Sequence, residues 1–374
     1  AVYLFSILIM RRFILKTLIF VLPVFIAYLL SKIYYSTAKG DLLRIGYIMD
    51  NSNYRDLFNK EFKRKIFFTN ISDLDVRCQH KYDVLAIGDS FSEQGSFSYL
   101  NYLAEKDSMR ILHFDRFLQR NPIQTLLSVL EGDLIDYIKV DYILIQLVER
   151  NLIKRLRKID STKKISSYSL NNLINESKKN KERNNNRDGF FSDRTIKFLL
   201  YNIFYFLDDN AFFSETYRVE TKEVLFSNNK KELLFYFRDL DRVELNNNVE
   251  SISKLNNTLN NLSERLKKKD IKLIVLLCPD KFDFYYKNIV KKNKYPEPLF
   301  FKYFEEIEKD YLYINSKSIL TKEMEHKKDI YLYDDSHWSP YGAKIIANEL
   351  TKVIFKKNTI SQDEKINIDL HEIY

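Results

Sequence analysis

The run Tyr142-Ile143-Leu144-Ile145-Gln146-Leu147 is apolar but for Gln146 and shows no alternation of polar and apolar positions. A strand of this kind is buried on both faces, which places it in a parallel sheet with helices covering either side. Asp83–Gly88 and Leu273–Cys278 read the same way, and Ile111-Leu112-His113-Phe114 and Tyr311–Ile314 are shorter strands. Helical spacing fills the gaps. Phe97, Leu100 and Leu103 mark one helix, and Pro122 opens a second that carries Ile123, Leu126, Leu127, Leu130, Leu134, Ile135 and Ile138. Val249, Ile252, Leu255, Leu259, Leu262 and Leu266 mark a third, and the last is expected from Tyr341 through Phe355. The alternation predicts an α/β fold built on a mostly parallel sheet.

In such sheets functional groups collect at the carboxyl ends of the strands. Gly88-Asp89-Ser90-Phe91 sits at such an end. Far along the chain, Asp334-Asp335-Ser336-His337-Trp338 holds one of only five histidines, with acidic residues two and three positions before it. A serine hydroxyl is a poor nucleophile until an imidazole takes its proton, and the imidazole needs a carboxylate to fix its tautomer. These two segments contain all three parts.

Together, in this order, they resemble the SGNH/GDSL hydrolase superfamily, over about Tyr82 to Lys356. The resemblance implies a three-layer α/β fold, a catalytic Ser90, and an Asp and His delivered from one late loop. The tail His337-Trp338-Ser339-Pro340-Tyr341-Gly342-Ala343 is similar to the membrane-anchored, alginate O-acetyltransferase-like members, which O-acetylate bacterial exopolysaccharides. Gln146-Leu147-Val148-Glu149-Arg150 and Cys278-Pro279-Asp280-Lys281, followed by Tyr285, resemble two further segments of that group. One departure matters: the alginate-type proteins place the Asp/His motif before the serine, whereas here it comes last. The resemblance is to the wider group and does not imply alginate.

In this reading Ser90 attacks an acyl carbonyl, its own N–H offers an oxyanion donor, and His337 carries the proton. Asp-x-x-His spacing favours Asp334 as the orienting carboxylate, and Asp-x-His-Trp spacing fits Asp335; the first is preferred. Asp89 is expected to hold the turn by hydrogen bonds. Gly95 is a loose fit to the superfamily's second block, and Asn151 lacks the Gly-x-Asn context of the third, so Arg150 is a candidate for substrate or oxyanion contacts there. Against this, Glu149-Arg150 also reads as a plain ion pair at a strand end. Lys281 reads more readily as part of a solvated turn than as a ligand, and Trp338 is a candidate lining residue.

The N-terminus constrains location. Phe13 to Ser31 is apolar but for Lys16 and Thr17, and Arg11-Arg12 precede it. About twenty such residues cross a bilayer, and the positive flank keeps that end cytoplasmic. No small-x-small cleavage site follows, so residues 1–35 are expected to be a single-pass inner-membrane anchor with the rest extracytoplasmic. Met10 directly precedes the arginines and reads as the biological start. Residues 36–81 are expected to be a linker and 82–374 the main domain.

Residues 155–248 break the strand–helix rhythm and are expected to form a largely helical insertion. Within it Asn171–Arg187, rich in Asn, Lys, Arg and Glu, predicts a mobile loop. Two cysteines, Cys78 and Cys278, make no disulfide framework, and Cys278 reads as a small core residue.

The scattered histidines suggest no metal cluster, and no glycine-rich phosphate loop is present, so no cofactor is expected. The net charge of +9 lacks the motifs of a nucleic-acid binder. The expected activity is serine-dependent O-acyl transfer, with acetyl the expected group, to a surface or secreted polysaccharide. By the resemblance, a multispanning membrane acyltransferase would supply the acetyl group. A deacylating esterase of the same fold and a non-catalytic glycan-binding scaffold are the alternatives.

Overall fold

The computed structural model describes residues 2–35, 40–74, 81–106, 108–183 and 193–371, with the side chains of 1–6, 8, 177–193 and 356–374 left aside. Its centre is a six-stranded, wholly parallel sheet. The strands are β1 (Thr69–Asn70), β2 (Lys81–Ile87), β3 (Ile111–Phe114), β4 (Lys139–Val148), β7 (Lys272–Cys278) and β8 (Leu312–Asn315), in the order β1-β3-β2-β4-β7-β8. An antiparallel hairpin, β5 (Thr216–Glu220) with β6 (Glu232–Tyr236), stands apart from it.

The period-two geometry of each strand divides the core in two. Val84, Ala86, Tyr142, Leu144, Ile274 and Leu276 face one cluster, which the helices Tyr99–Lys106 and Pro340–His371 cover. Leu85, Ile87, Ile143, Ile145, Leu273 and Val275 face the other, under Pro122–Glu131 and Val249–Lys267. This is the expected α/β arrangement with helices on both faces. Neighbouring strands run to β3 on one side of β2 and to β4 on the other. The strand order therefore reverses at the carboxyl end of β2, where open α/β sheets place their sites.

Several expectations need correction. The helix opened by Pro122 stops at Glu131, because Gly132 is extended, and Leu134–Tyr137 forms a separate turn. Residues 171–183 are not a loop: they belong to the helix Ser167–Arg183, which buries Leu170 and Ile174 one turn apart against the second cluster. The remaining part of that predicted loop, 184–187, lies outside the described residues, as does Cys78. The insertion is largely helical as expected, with the hairpin β5/β6 added after its two long helices. Its Val219, Leu233, Leu234 and Phe235 join the first core cluster, so this part is integral to the domain. The expected linker is also structured: β1 pairs with β3, and Leu42, Leu43, Tyr54 and Phe58 are core residues.

The helix Val2–Tyr34 contains, over Ile9–Tyr34, a stretch long and apolar enough to cross a membrane, a description that an anchor and a signal sequence both meet. Cys278 is buried at the end of β7, as expected of a core residue.

Candidate active site

Beyond Ile87 the chain leaves β2 through Gly88 and turns at Asp89–Glu93. A Cβ at Gly88 would overlap Ser92 Oγ and stand 2.9 Å from Gln146 Oε1, so only glycine lets this turn close on β4. Asp89 fixes the turn as its position suggests. Its N–H donates to Gln146 Oε1 at 3.0 Å, its Oδ1 accepts from Phe91 N at 3.3 Å, and its Oδ2 accepts from Val148 N and Arg155 Nη1, both at 2.9 Å. Burial pushes this carboxyl up, but Arg155 and the hydrogen bonds outweigh it and hold the group below its ordinary value.

The turn displays Ser90 with its Oγ 2.7 Å from His337 Nε2. On the other side of the ring, His337 Nδ1 is 2.6 Å from Asp335 Oδ1. With Nδ1–H donating to that carboxylate, the Nε2 lone pair points at the serine hydroxyl. Burial pushes the imidazolium down, yet Asp335 and Asp41 more than compensate, and the histidine sits above its ordinary value. Asp335 is held low: the burial penalty is outweighed by His337 and then Arg55.

The preference for Asp334 is therefore corrected. Its Oδ2 accepts from Gly40 N at 2.9 Å and Arg55 Nε at 2.6 Å, and it is Asp335 that reaches the imidazole. Asp334 secures the loop to the segment after the apolar helix, while its carbonyl accepts from Leu42 N at 3.1 Å. Asp335 stands two residues before His337, the Asp-x-His spacing of the alginate-type motif.

Lys281 is not in a solvated turn. It is fully buried, and its ammonium donates to the carbonyls of Leu332 at 2.7 Å, Tyr333 at 2.8 Å and Asp335 at 3.1 Å, pinning the histidine loop from beneath. Burial pushes this ammonium down to about 7, with Asp334 and Asp335 pulling the other way. Glu149 and Arg150 do not pair with each other. Arg150 Nη1 bridges Asp280 at 2.6 Å and Asp239 at 3.1 Å, both buried, while Glu149 Oε2 accepts from Asp280 N at 3.0 Å. Burial and then the neighbouring Asp283 and Asp280 carboxylates raise Glu149 well above its ordinary value. Arg150 makes no hydrogen bond to Ser90 or His337 among the described residues, and its charge is a minor influence that lowers the His337 value.

Trp338 is buried and packs its ring 4.9 Å from Phe91, joining the serine turn to the histidine loop as core and not as a lining surface. Gly95 opens the 3-10 turn Gly95–Phe97 at φ +57, and Asn151 closes the turn Glu149–Asn151. Neither makes a hydrogen bond to Ser90 or His337 among the described residues.

Two site residues had no signal in the sequence. Asp41 Oδ1 and Oδ2 accept from Ser336 N at 2.8 Å and Ser336 Oγ at 2.6 Å. Arg55 spans both loop aspartates, with Nη2 3.0 Å from Asp335 Oδ2. Asp41, Asp335 and His337 place one ligand atom each within 4.8 Å of one another. The Arg55 guanidinium on Asp335 and the use of Nδ1 by that carboxylate oppose a cation there.

No curated protein and no solved structure matches the chain significantly. Residues 234–372, which include the histidine loop, match the family described as SGNH hydrolase-like domain, acetyltransferase AlgX. The similarity that the serine and histidine segments raised is thus found independently over the C-terminal part of the chain, and it brings the hydrolase and acyltransferase class with it. Over those residues the chain is similar to the SGNH hydrolase-like domain of AlgX.

Proposed function

We propose that the protein is an extracytoplasmic O-acyltransferase that moves an acyl group, with acetyl the favoured one, onto a polysaccharide hydroxyl through an acyl-serine. The observation that carries this reading is the Ser90–His337–Asp335 line, 2.7 Å and 2.6 Å per link, in a chain whose C-terminal part is AlgX-like.

Ser90 Oγ attacks the donor's acyl carbonyl while its proton passes to His337 Nε2. Asp335 stabilises the imidazolium, and the Ser90 N–H faces the developing oxyanion. The tetrahedral adduct collapses as His337 returns the proton to the departing group, leaving the acyl-serine. An acceptor hydroxyl then gives its proton to His337 and attacks the ester carbonyl; collapse releases the new ester and restores Ser90–OH. Water in place of the acceptor gives hydrolysis by the same steps. The apolar N-terminal helix supports placement at the membrane, where a separate membrane acyltransferase would deliver acyl groups.

Intact-mass measurement of the full chain in detergent, incubated with p-nitrophenyl acetate, tests the reading. One acetyl adduct on Ser90, absent from Ser90→Ala, is expected. Oligosaccharide acceptors should then gain ester in proportion to adduct lost. Adduct decay at the same rate without any ester on the acceptor means an esterase, and no adduct with a competent donor overturns the enzyme.

A further inference from the structure

The helix Asp193–Phe204 has two apolar faces, and only one is covered. Phe198 and Thr195 are buried, and the helix packs against the C-terminal end of Val2–Tyr34, where Tyr28 and Ser31 are buried in turn. Phe198 also meets Tyr35 edge-on at 5.9 Å. The opposite face carries Ile196, Leu200 and Ile203, continued by Leu207 in the turn that follows, all exposed. The chain then turns tightly, with Asp208 Oδ2 accepting from Asn210 N at 3.0 Å and Phe212 N at 2.9 Å. In that turn Ala211 and Phe212 hold φ of +49 and +65, a left-handed pair that a bulky residue adopts at a cost. The result is outward display of aromatic side chains: Phe206 is 85% exposed, Leu207 73% and Phe213 80%.

The end of the apolar helix says what covers this face. From Phe13 to Tyr34 a helix rises about 33 Å at 1.5 Å per residue, close to the roughly 30 Å of a bilayer's hydrocarbon core. Tyr28 therefore lies about 9 Å below the end of the span, within the outer leaflet. A helix packed against Tyr28 and Ser31 is at the same depth. Beside it, a cleft of about 420 Å³ is lined by Tyr35, Arg44, Tyr47, Arg194, Lys197 and Phe213, with Glu215 as the acidic member of the lining. Three of its lining residues, Arg44, Arg194 and Lys197, are cationic.

We propose that the helix Asp193–Phe204 and the turn carrying Phe206, Leu207 and Phe213 are seated in the outer leaflet as a second membrane contact beside the span. Hydrogen bonds pass this seating towards the site. Asn202 Nδ2 donates to Tyr47 O at 2.7 Å, at the far end of the short helix Asp41–Gly46 whose first residue holds Ser336. The bilayer thereby fixes the domain's orientation through two attachments instead of one flexible tether. The inference rests on the apolar helix being a span and is independent of the acyl-transfer reading.

The test uses the full chain in vesicles of phosphatidylglycerol and brominated phosphatidylcholine. The single native tryptophan, Trp338, is buried and gives a constant background. Phe206→Trp, Leu207→Trp and Phe213→Trp are the probes. Phe20→Trp reports the span, and Val249→Trp, exposed on the helix that covers the other face of the sheet, is the negative control. Blue-shifted emission and about twofold quenching at 206, 207 and 213, with quenching at 20 and none at 249, is the expected result. Quenching at 20 alone overturns the seating while leaving the span intact, and assigns the apolar face to a protein partner. Absence of quenching at 20 and at all three probes overturns both.

Discussion

Asp41 Oδ2 stands 3.8 Å from His337 Nδ1, so the imidazole faces two carboxylates, one from its own loop and one from the segment that follows the apolar helix. Burial first, and then the charge of Asp335, raise the Asp41 carboxyl to about 6, and the 26% exposure of its side chain tempers that rise. Arg55 neutralises the loop aspartates from the outside, and Arg150 opposes protonation of the histidine.

That arrangement predicts a pH effect. His337 must be neutral to accept the serine proton, and Asp41 lifts its value. Asp41→Asn removes the lift, so the acid limb of the pH–rate profile should move to lower pH by about half a unit or more. Stability follows the opposite group. The folded Asp41 keeps its proton up to about 6, against an ordinary 3.8, so its charging penalty is present above pH 6 and is relieved as pH falls towards 4. Thermal melts of the variant should lack that relief. An unchanged acid limb would remove Asp41 from the electrostatics of the histidine.

The two loop aspartates should separate cleanly. Asp335→Asn takes the acceptor from His337 Nδ1 and should cut turnover of an activated acetyl ester by roughly a thousandfold or more, with melting little changed. Asp334→Asn should lower the melting temperature and leave the chemistry within about tenfold, because its bonds go to Gly40 and Arg55. Equal rate losses in the two variants would contradict this division.

Lys281→Met leaves three loop carbonyls without their donor and should cost about 2–4 kcal/mol by denaturant unfolding. The rate should fall as well, since the loop that loses its support carries His337. Full stability with methionine would mean that the loop is held from above by Asp41 and Arg55 alone.

Gly88→Ala puts a Cβ into Ser92 Oγ and Gln146, breaking the turn's closure on β4. A loss of roughly 1–3 kcal/mol is expected in thermal denaturation, together with reduced acetyl-adduct formation at Ser90.

Much of this architecture is written locally. The strands β2, β4 and β7 are apolar runs buried on both faces, and the helix Val249–Lys267 shows its period directly, so both were legible without tertiary information. The hairpin β5/β6 lay inside a stretch expected to be largely helical, because its strands are short and its partner contacts come from the core they complete. The helix Ser167–Arg183 looked like a loop, since a mostly polar segment needs only Leu170 and Ile174 to hold it down.

The candidate site divides in the same way. Ser90 and His337 stand in short motifs whose chemistry can be named from residue type and order. Which aspartate meets the imidazole depends on how the backbone turns over three residues, and spacing alone leaves both available. Lys281 looked solvated because a lysine in a turn usually is; only the loop folded over it supplies the three carbonyls that let an ammonium be buried. Asp41 and Arg55 belong to no motif, and nothing local ties them to residues some three hundred positions away. The sequence by itself determined the layers, the strand-end serine and the histidine loop, because periodicity and motif chemistry are local properties. The tertiary structure decided the orienting carboxylate, the buried cations and the contribution of the segment after the apolar helix, because those depend on which charges the fold brings together out of water.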